Sequence, residues 1–215
     1  MKSASRKKKK ESEIGPFLPV FSPINPLRWM LFVDGENFTF RGQEIAKLND
    51  IELKVSAYYE PDVFLWLPDT PGRESIVPNA PVGIQPVAIR AHYYTSAVGD
   101  VEKLDSIKEK LWALGFHPEV FKKDKKQTKS KGVDISLAKD FICNAYMNNY
   151  DAAVLIAGDA DFIPIVDEVK RLGKLVYVIS FHGDKSGLSR KLQIAADVFF
   201  RINESFLESW SNFEE

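Results

Sequence analysis

The chain has 215 residues, 45% of them apolar and 27% charged, proportions that sustain a buried core, exclude global disorder and suit one domain with additions. Its one cysteine, Cys143, excludes a disulfide-stapled scaffold or a multi-cysteine zinc site and points to a reducing, cytoplasmic compartment. The net charge of −1 conceals an uneven distribution: residues 1–10 hold six basic groups and no acid, residues 122–131 hold six lysines against Asp124, and the remainder sums to −12. Two positive segments on an acidic body suit a polyanionic partner, although lysine runs also serve as solvated tails and loops. The early stretch Ile14 to Phe21 is broken by Pro16 and Pro19, and no apolar run approaches the roughly 18 residues of a membrane span, so neither a membrane anchor nor a signal peptide is expected.

Residues 1–27 read as a basic tail and lead-in. Met30 to Val33 reads as a buried strand that meets a loop at Asp34-Gly35. Asn37 is read in two ways, as the cap of a helix running to about Leu48 and as an amide able to orient a water or a phosphate oxygen. From Asp50 to Pro86 six prolines break the pattern; residues 50–86 read as a proline-rich insertion, with Val63 to Leu67 strand-like and residues 68–86 a loop. Val87 to Tyr94 reads as a strand. Asp100 then starts a helix in which Val101, Leu104, Ile107, Leu111 and Leu114 recur at helical spacing before Gly115 stops it. Glu119 to Lys122 reads as a short strand, and Asp134 opens a helix with Leu137, Ala138, Phe141, Ile142 and Ala145 on one face. Ala152 to Ala157 is a strand ending in Gly158-Asp159-Ala160-Asp161. A helix from Phe162 to Leu172 follows, then a strand Leu175 to Ile179, a helix Leu188 to Ala195, a strand Val198 to Ile202 and a C-terminal extension, residues 204–215. Such alternation implies βαβ units: an α/β, Rossmann-like domain over residues 28–203, with a mainly parallel sheet, helices on both faces and sites beyond the carboxyl ends of the strands.

The acids fall where such a sheet would gather them. Asp34 ends the first strand, Asp159 and Asp161 follow the fourth, and Asp134 begins a helix after a loop. Each alone has a plain structural reading, since Asp-Gly is an ordinary turn and Asp134 or Asp159 can cap a helix. Together they form an all-oxygen donor set, costly unless a cation neutralises it and suited to Mg²⁺ or Mn²⁺ with phosphate-bearing substrates. Asp197 reads either as an outer carboxylate of the site or as a solvated loop acid; Asp140 and Asp167 read as surface charges. His92, His117 and His182 show no ligand spacing and read as structural, and Cys143, beside an apolar helix face, as inert. No G-x-S-x-G elbow, P-loop or G-x-G-x-x-G turn occurs, which disfavours acyl transfer, NTP hydrolysis of the P-loop kind and a nucleotide cofactor.

Three motifs in order, Leu31-Phe-Val-Asp-Gly-Glu-Asn-Phe38, Lys131-Gly-Val-Asp-Ile-Ser-Leu-Ala138 and Ile156-Ala-Gly-Asp-Ala-Asp-Phe162, followed by Gly173-Lys-Leu-Val-Tyr-Val178, resemble the NYN-domain family of PIN-like nucleases. The resemblance implies a Rossmann-like sheet, Mg²⁺ or Mn²⁺ held by acids, and cleavage of RNA. Matched position by position, it places metal ligands at Asp34, Asp134, Asp159 and Asp161, with Asn37 beside them. A later family pattern runs through Ser186 or Ser189, Leu192 and Ala196-Asp197.

The sequence therefore leads to a metal-dependent endoribonuclease in which Lys122, Lys123, Lys125, Lys126, Lys129 and Lys131 guide the RNA backbone by charge. Tyr93, Tyr94 and Trp112 are read as core aromatics, with base stacking as the other use. The alternatives are a non-catalytic RNA-binding or regulatory module that keeps the fold, and a phosphomonoesterase or nucleotide hydrolase. A homo-oligomer is compatible with either.

Overall fold

A computed structural model of the chain describes residues 27–56, 59–65, 88–125, 130–181 and 190–202. The tail before residue 27, residues 66–87, Lys126, Lys129, His182, Ser186, Leu188, Ser189 and residues 203–215 lie outside these. Among the described residues, β1 (Trp29–Asp34), β2 (Arg90–Ala97), β3 (His117–Lys122), β4 (Ala152–Ile156), β5 (Leu175–Phe181) and β6 (Val198–Ile202) form one sheet in the order β3-β2-β1-β4-β5-β6. Every pairing is parallel.

The doubly wound arrangement expected from the sequence is thus observed, and its cause is visible in the strands. β1 and β4 are buried at every residue because helices cover both faces of the sheet. On one face Leu31, Val33, Tyr93, Val154 and Ile156 meet α1 (Gly35–Leu48) and α2 (Val101–Ala113). On the other Met30, Phe32, Tyr94 and Leu155 meet α3 (Lys131–Tyr146), α4 (Ile163–Arg171) and α5 (Arg190–Ala195).

The chain starts at the sheet's centre, moves outward through β2 to β3, and returns through α3 to place β4 beside β1. The carboxyl ends of β1 and β4 therefore flank the point where the winding reverses, which is where this architecture leaves a crevice.

Several boundaries differ from the sequence reading. The cap of α1 is Asp34, whose side chain accepts from the Asn37 amide; Asn37 lies inside the first turn. β2 runs from Arg90 to Ala97, later than residues 87–94, because its register against β1 begins at Met30↔Arg90. β3 starts at His117, and its Pro118 is tolerated because β3 is an edge strand. α3 opens at Lys131, leaving Asp134 in its first turn rather than at its cap. Val101 projects to solvent at 68% exposure, so the buried stripe of α2 is Ile107 and Leu111. Cys143 is exposed.

Part of the proline-rich insertion belongs to the core. Val63, Phe64 and Leu65 form no strand; a turn at residues 61–63 leads to Phe64, whose φ of 43° is in the left-handed region. Burial holds that unfavourable backbone in place. All three side chains are at most 1% exposed, and Phe64 stacks edge-on against Phe38 with ring centroids 4.8 Å apart. Thr39 donates its hydroxyl to the Val63 carbonyl at 2.8 Å, and Tyr93 donates to the Phe64 carbonyl.

Candidate active site at the switch point

Asp34 is buried at the end of β1 and caps α1, its Oδ1 accepting the Asn37 amide hydrogen at 3.0 Å. The positive end of the helix dipole and the free first-turn amides make this a tolerable place for a buried carboxylate. The turn demands glycine at residue 35: a Cβ there would stand 2.4 Å from Tyr93 Cε1 and 2.7 Å from the Tyr94 carbonyl oxygen. The Asp-Gly pair is therefore set by close approach of α1 to β2, in addition to any chemistry.

Asn37 crosses the switch point. Its Oδ1 accepts the Gly158 amide hydrogen at 3.1 Å, joining the first turn of α1 to the exit of β4. Gly158 is packed under that amide, since a Cβ would lie 3.0 Å from Ser180 Oγ and 3.2 Å from Asn37 Oδ1. Asp159 follows, half-buried, and caps a 3-10 turn (Ala160–Phe162) by accepting the Asp161 amide hydrogen at 3.2 Å. Asp161 is exposed. Asp134 is half-buried in the first turn of α3.

Three elements thus bring acids to the carboxyl rim of the sheet, and the termini of α1, α3 and the 3-10 turn stand among them. Among the described residues no three His, Cys, Asp or Glu side chains are arranged to hold a metal ion. Asp34 and Asp159 accept backbone amides as helix caps. The donor chemistry, carboxylate and amide oxygen with no nitrogen or sulfur, fits a hard divalent ion that keeps most of its waters and takes one or two carboxylates plus phosphate oxygens.

The sequence reading gave Glu36 no role. Its carboxylate accepts the buried Ser96 hydroxyl from the end of β2 and the Ser130 amide hydrogen at 3.1 Å from the start of α3. The available signal was the spacing: Asp34-Gly-Glu36 repeats the i, i+2 acids of Asp159-Ala-Asp161.

Other expected residues fall elsewhere. Asp197 lies at the opposite rim, where its Oδ2 accepts the Val176 amide hydrogen at 2.8 Å and its Oδ1 pairs with Lys170 at 3.0 Å. Strand β6 starts beside the beginning of β5, so an acid preceding it is carried away from the crevice. Asp140 is not a mere surface charge: it accepts the buried Tyr94 hydroxyl at 2.9 Å and ties α3 to β2. Asp167 is exposed.

His92 and His117, distant in sequence, are register partners with rings 5.6 Å apart, and His92 stacks on Phe32. Burial lowers the His92 pKa to about 4 despite the neighbouring Asp140, so the imidazole is neutral near pH 7.

Tyr93 and Tyr94 are wholly buried, which removes them as stacking platforms; Trp112, at 73% exposure, stands on the outer side of α2. Burial raises the Tyr93 phenol well above its usual range and the Asp34 charge adds to the effect. Lys122 and Lys125 are exposed and Lys123 half-buried at the end of β3, while Lys131 is the first residue of α3.

A parallel sheet of this order, with its crevice at the switch point, defines an α/β protein of the Rossmann-like class. The NYN domain family matches residues 28–203, and the chain belongs to it. An uncharacterized protein of Methanocaldococcus jannaschii is 32% identical over 102 residues, 47% of this chain and 38% of that protein, so the chain spans well under half of that relative's length. A crystal structure of a protein of unknown function from Vibrio parahaemolyticus is similar in fold, with a TM-score of 0.57 and 21% identity over 86% of this chain and 99% of that one. Among the described residues, no helix is long and apolar enough to cross a membrane.

Proposed function

We propose that the protein is a metal-dependent endoribonuclease that hydrolyses RNA phosphodiester bonds at the switch point, acting in the cytoplasm. The observation that carries this reading is the link Asp34–Asn37–Gly158, which seats Asp159 on the same rim as Asp34. Of the four acids, Asp34 and Asp159 would contact Mg²⁺ or Mn²⁺ directly, and Asp134 and Asp161 would hold it through its waters. When bound, the ion supplies charge neutralisation at the phosphate and activation of water for in-line attack at phosphorus.

The chain's own residues do the positioning. Asn37 fixes the exit of β4 against α1 and so sets the spacing of Asp34 and Asp159. Gly35 and Gly158 let the backbones approach closely enough for that bridge. The lysines of residues 122–131 draw the RNA backbone toward an otherwise acidic surface, giving an affinity that falls as salt rises.

Labelled single-stranded RNA incubated with Mn²⁺ and either wild type or Asp34→Asn tests the proposal. Cleavage by wild type alone supports it. Equal cleavage by both marks a contaminating nuclease and removes the enzyme reading. One observation favours a second reading, a non-catalytic RNA-binding module: Asp34 and Asp159 already serve as caps. RNA binding by both proteins with no cleavage by either would select it.

A further inference from the structure

The basic stretch after β3 is pinned at both ends to the terminus of β2. At its start the Lys123 amide donates to the Ala97 carbonyl at 3.0 Å. At its end the Ser130 amide donates to Glu36, whose carboxylate also takes the hydroxyl of Ser96, the residue before Ala97. Glu36 stands in the first turn of α1, two residues after Asp34, so one carboxylate connects the acidic rim, the end of β2 and the start of α3.

Ser130 is the cap residue of α3, yet its own side chain makes no capping hydrogen bond. Glu36 supplies the acceptor for that cap amide and adds its charge to that of Asp134 in the first turn, where a helix N-terminus favours an anion. On its other side the start of α3 is fixed by Gly132 against Phe121, where a Cβ would lie 2.9 Å from Phe121 Cδ1. Asp134 sits one turn further along.

We infer that Glu36 is a positioning residue that fastens the exit of the lysine stretch and the first turn of α3 to the rim carrying Asp34, thereby coupling RNA capture to placement of Asp134. It acts through hydrogen bonds it accepts from Ser96 and Ser130. The inference deepens the nuclease reading and rests on it for its consequence in cleavage, whereas the anchoring itself is measurable without turnover.

The test uses the full chain as wild type, Glu36→Ala, Glu36→Gln, Ser130→Pro and Ser130→Ala. Ser130→Pro deletes the donated N–H without touching Glu36, and Ser130→Ala keeps that N–H. The first readout is hydrogen exchange at the Ser130 amide with the α4 amides as internal reference. The second is affinity for single-stranded RNA in EDTA, and the third is kcat and KM with Mn²⁺.

Glu36→Ala should raise Ser130 exchange at least tenfold with α4 unchanged, and Ser130→Ala should match wild type. Both Glu36→Ala and Ser130→Pro should weaken RNA binding about three- to tenfold. Combining them should add little, as expected for two halves of one contact. Glu36→Gln, which keeps one acceptor oxygen, should fall between wild type and Glu36→Ala.

Unchanged exchange and RNA affinity in Glu36→Ala would overturn the inference. So would loss of cleavage in Glu36→Ala as deep as in Asp34→Asn with exchange unaltered, since Glu36 would then act at the ion. If wild type fails to cleave RNA, the nuclease reading fails, and the exchange readout still decides the anchoring.

Discussion

The two rims of the sheet carry acids of the same kind in opposite circumstances. At the amino rim Asp151 binds Arg28 through the guanidinium, 2.9 Å to Oδ1 and 3.1 Å to Oδ2, and also takes the Arg28 amide; Asp197 binds Lys170 and the Val176 amide. At the carboxyl rim Asp34, Glu36 and Asp159 take backbone amides and a serine hydroxyl at helix starts. A carboxylate bonded to a guanidinium or an ammonium is already neutralised and locks two elements together. A carboxylate at a helix start stands where the helix dipole favours negative charge. Both rims are ordinary structural solutions, and the proposed chemistry falls at the carboxyl one.

Substitutions that remove charge but keep shape separate the two. The largest effect is expected for Asp34→Asn: cleavage should fall at least about 100-fold, the scale for losing one preorganised group that stabilises the transition state. Asparagine caps a helix as well as aspartate does, so the melting temperature should hardly move. A large fall in stability with cleavage intact would make Asp34 a structural acid like Asp197.

Between the rims, His92 sets an acid-sensitive strip. Its pKa is about 4 when folded, against about 6.5 in the unfolded chain, so only the unfolded state gains a proton between those values. Stability should therefore fall from pH 6.5 to pH 4, by up to about 3 kcal/mol, and His92→Phe should flatten that limb in urea titrations.

Gly35→Ala forces a Cβ onto Tyr93 and should cost about 1–3 kcal/mol of unfolding free energy, the usual range for overpacking. At the amino rim, Asp197→Asn should cost about 1 kcal/mol and leave RNA cleavage unchanged within twofold.

The smallest effect is expected for Asp151. The Arg28 guanidinium holds its carboxyl below the usual range, so the pair's contribution is present above about pH 4 and lost as pH falls through the folded value. With Asp151 a third exposed, Arg28→Ala should lower stability near pH 7 only slightly and shrink the slope below pH 4.

The parallel α/β class and the carboxyl-rim acids were legible because β1 and β4 are continuous apolar runs, one ending in Asp34 and the other followed by Gly158-Asp159. Asp197 kept two readings because proximity to a strand says nothing about which end of the sheet it occupies. Phe64 and its neighbours were hidden by surrounding prolines: their core role depends on hydroxyls of Thr39 and Tyr93, which no local pattern announces. Glu36 stood in plain view inside a motif, yet its partners Ser96 and Ser130 come from elements 60 and 94 residues away.

The measurement that bears most directly on the carboxyl rim is a Mn²⁺ titration followed by melting temperature, on wild type, Asp34→Asn, Asp159→Asn and Asp197→Asn. An ion bound by the folded state alone stabilises it by about 2.7 kcal/mol at 100 times its Kd. Wild type and Asp197→Asn should rise together while Asp34→Asn and Asp159→Asn stay flat. A flat wild type, or a response abolished by Asp197→Asn alone, would contradict an ion site at the switch point.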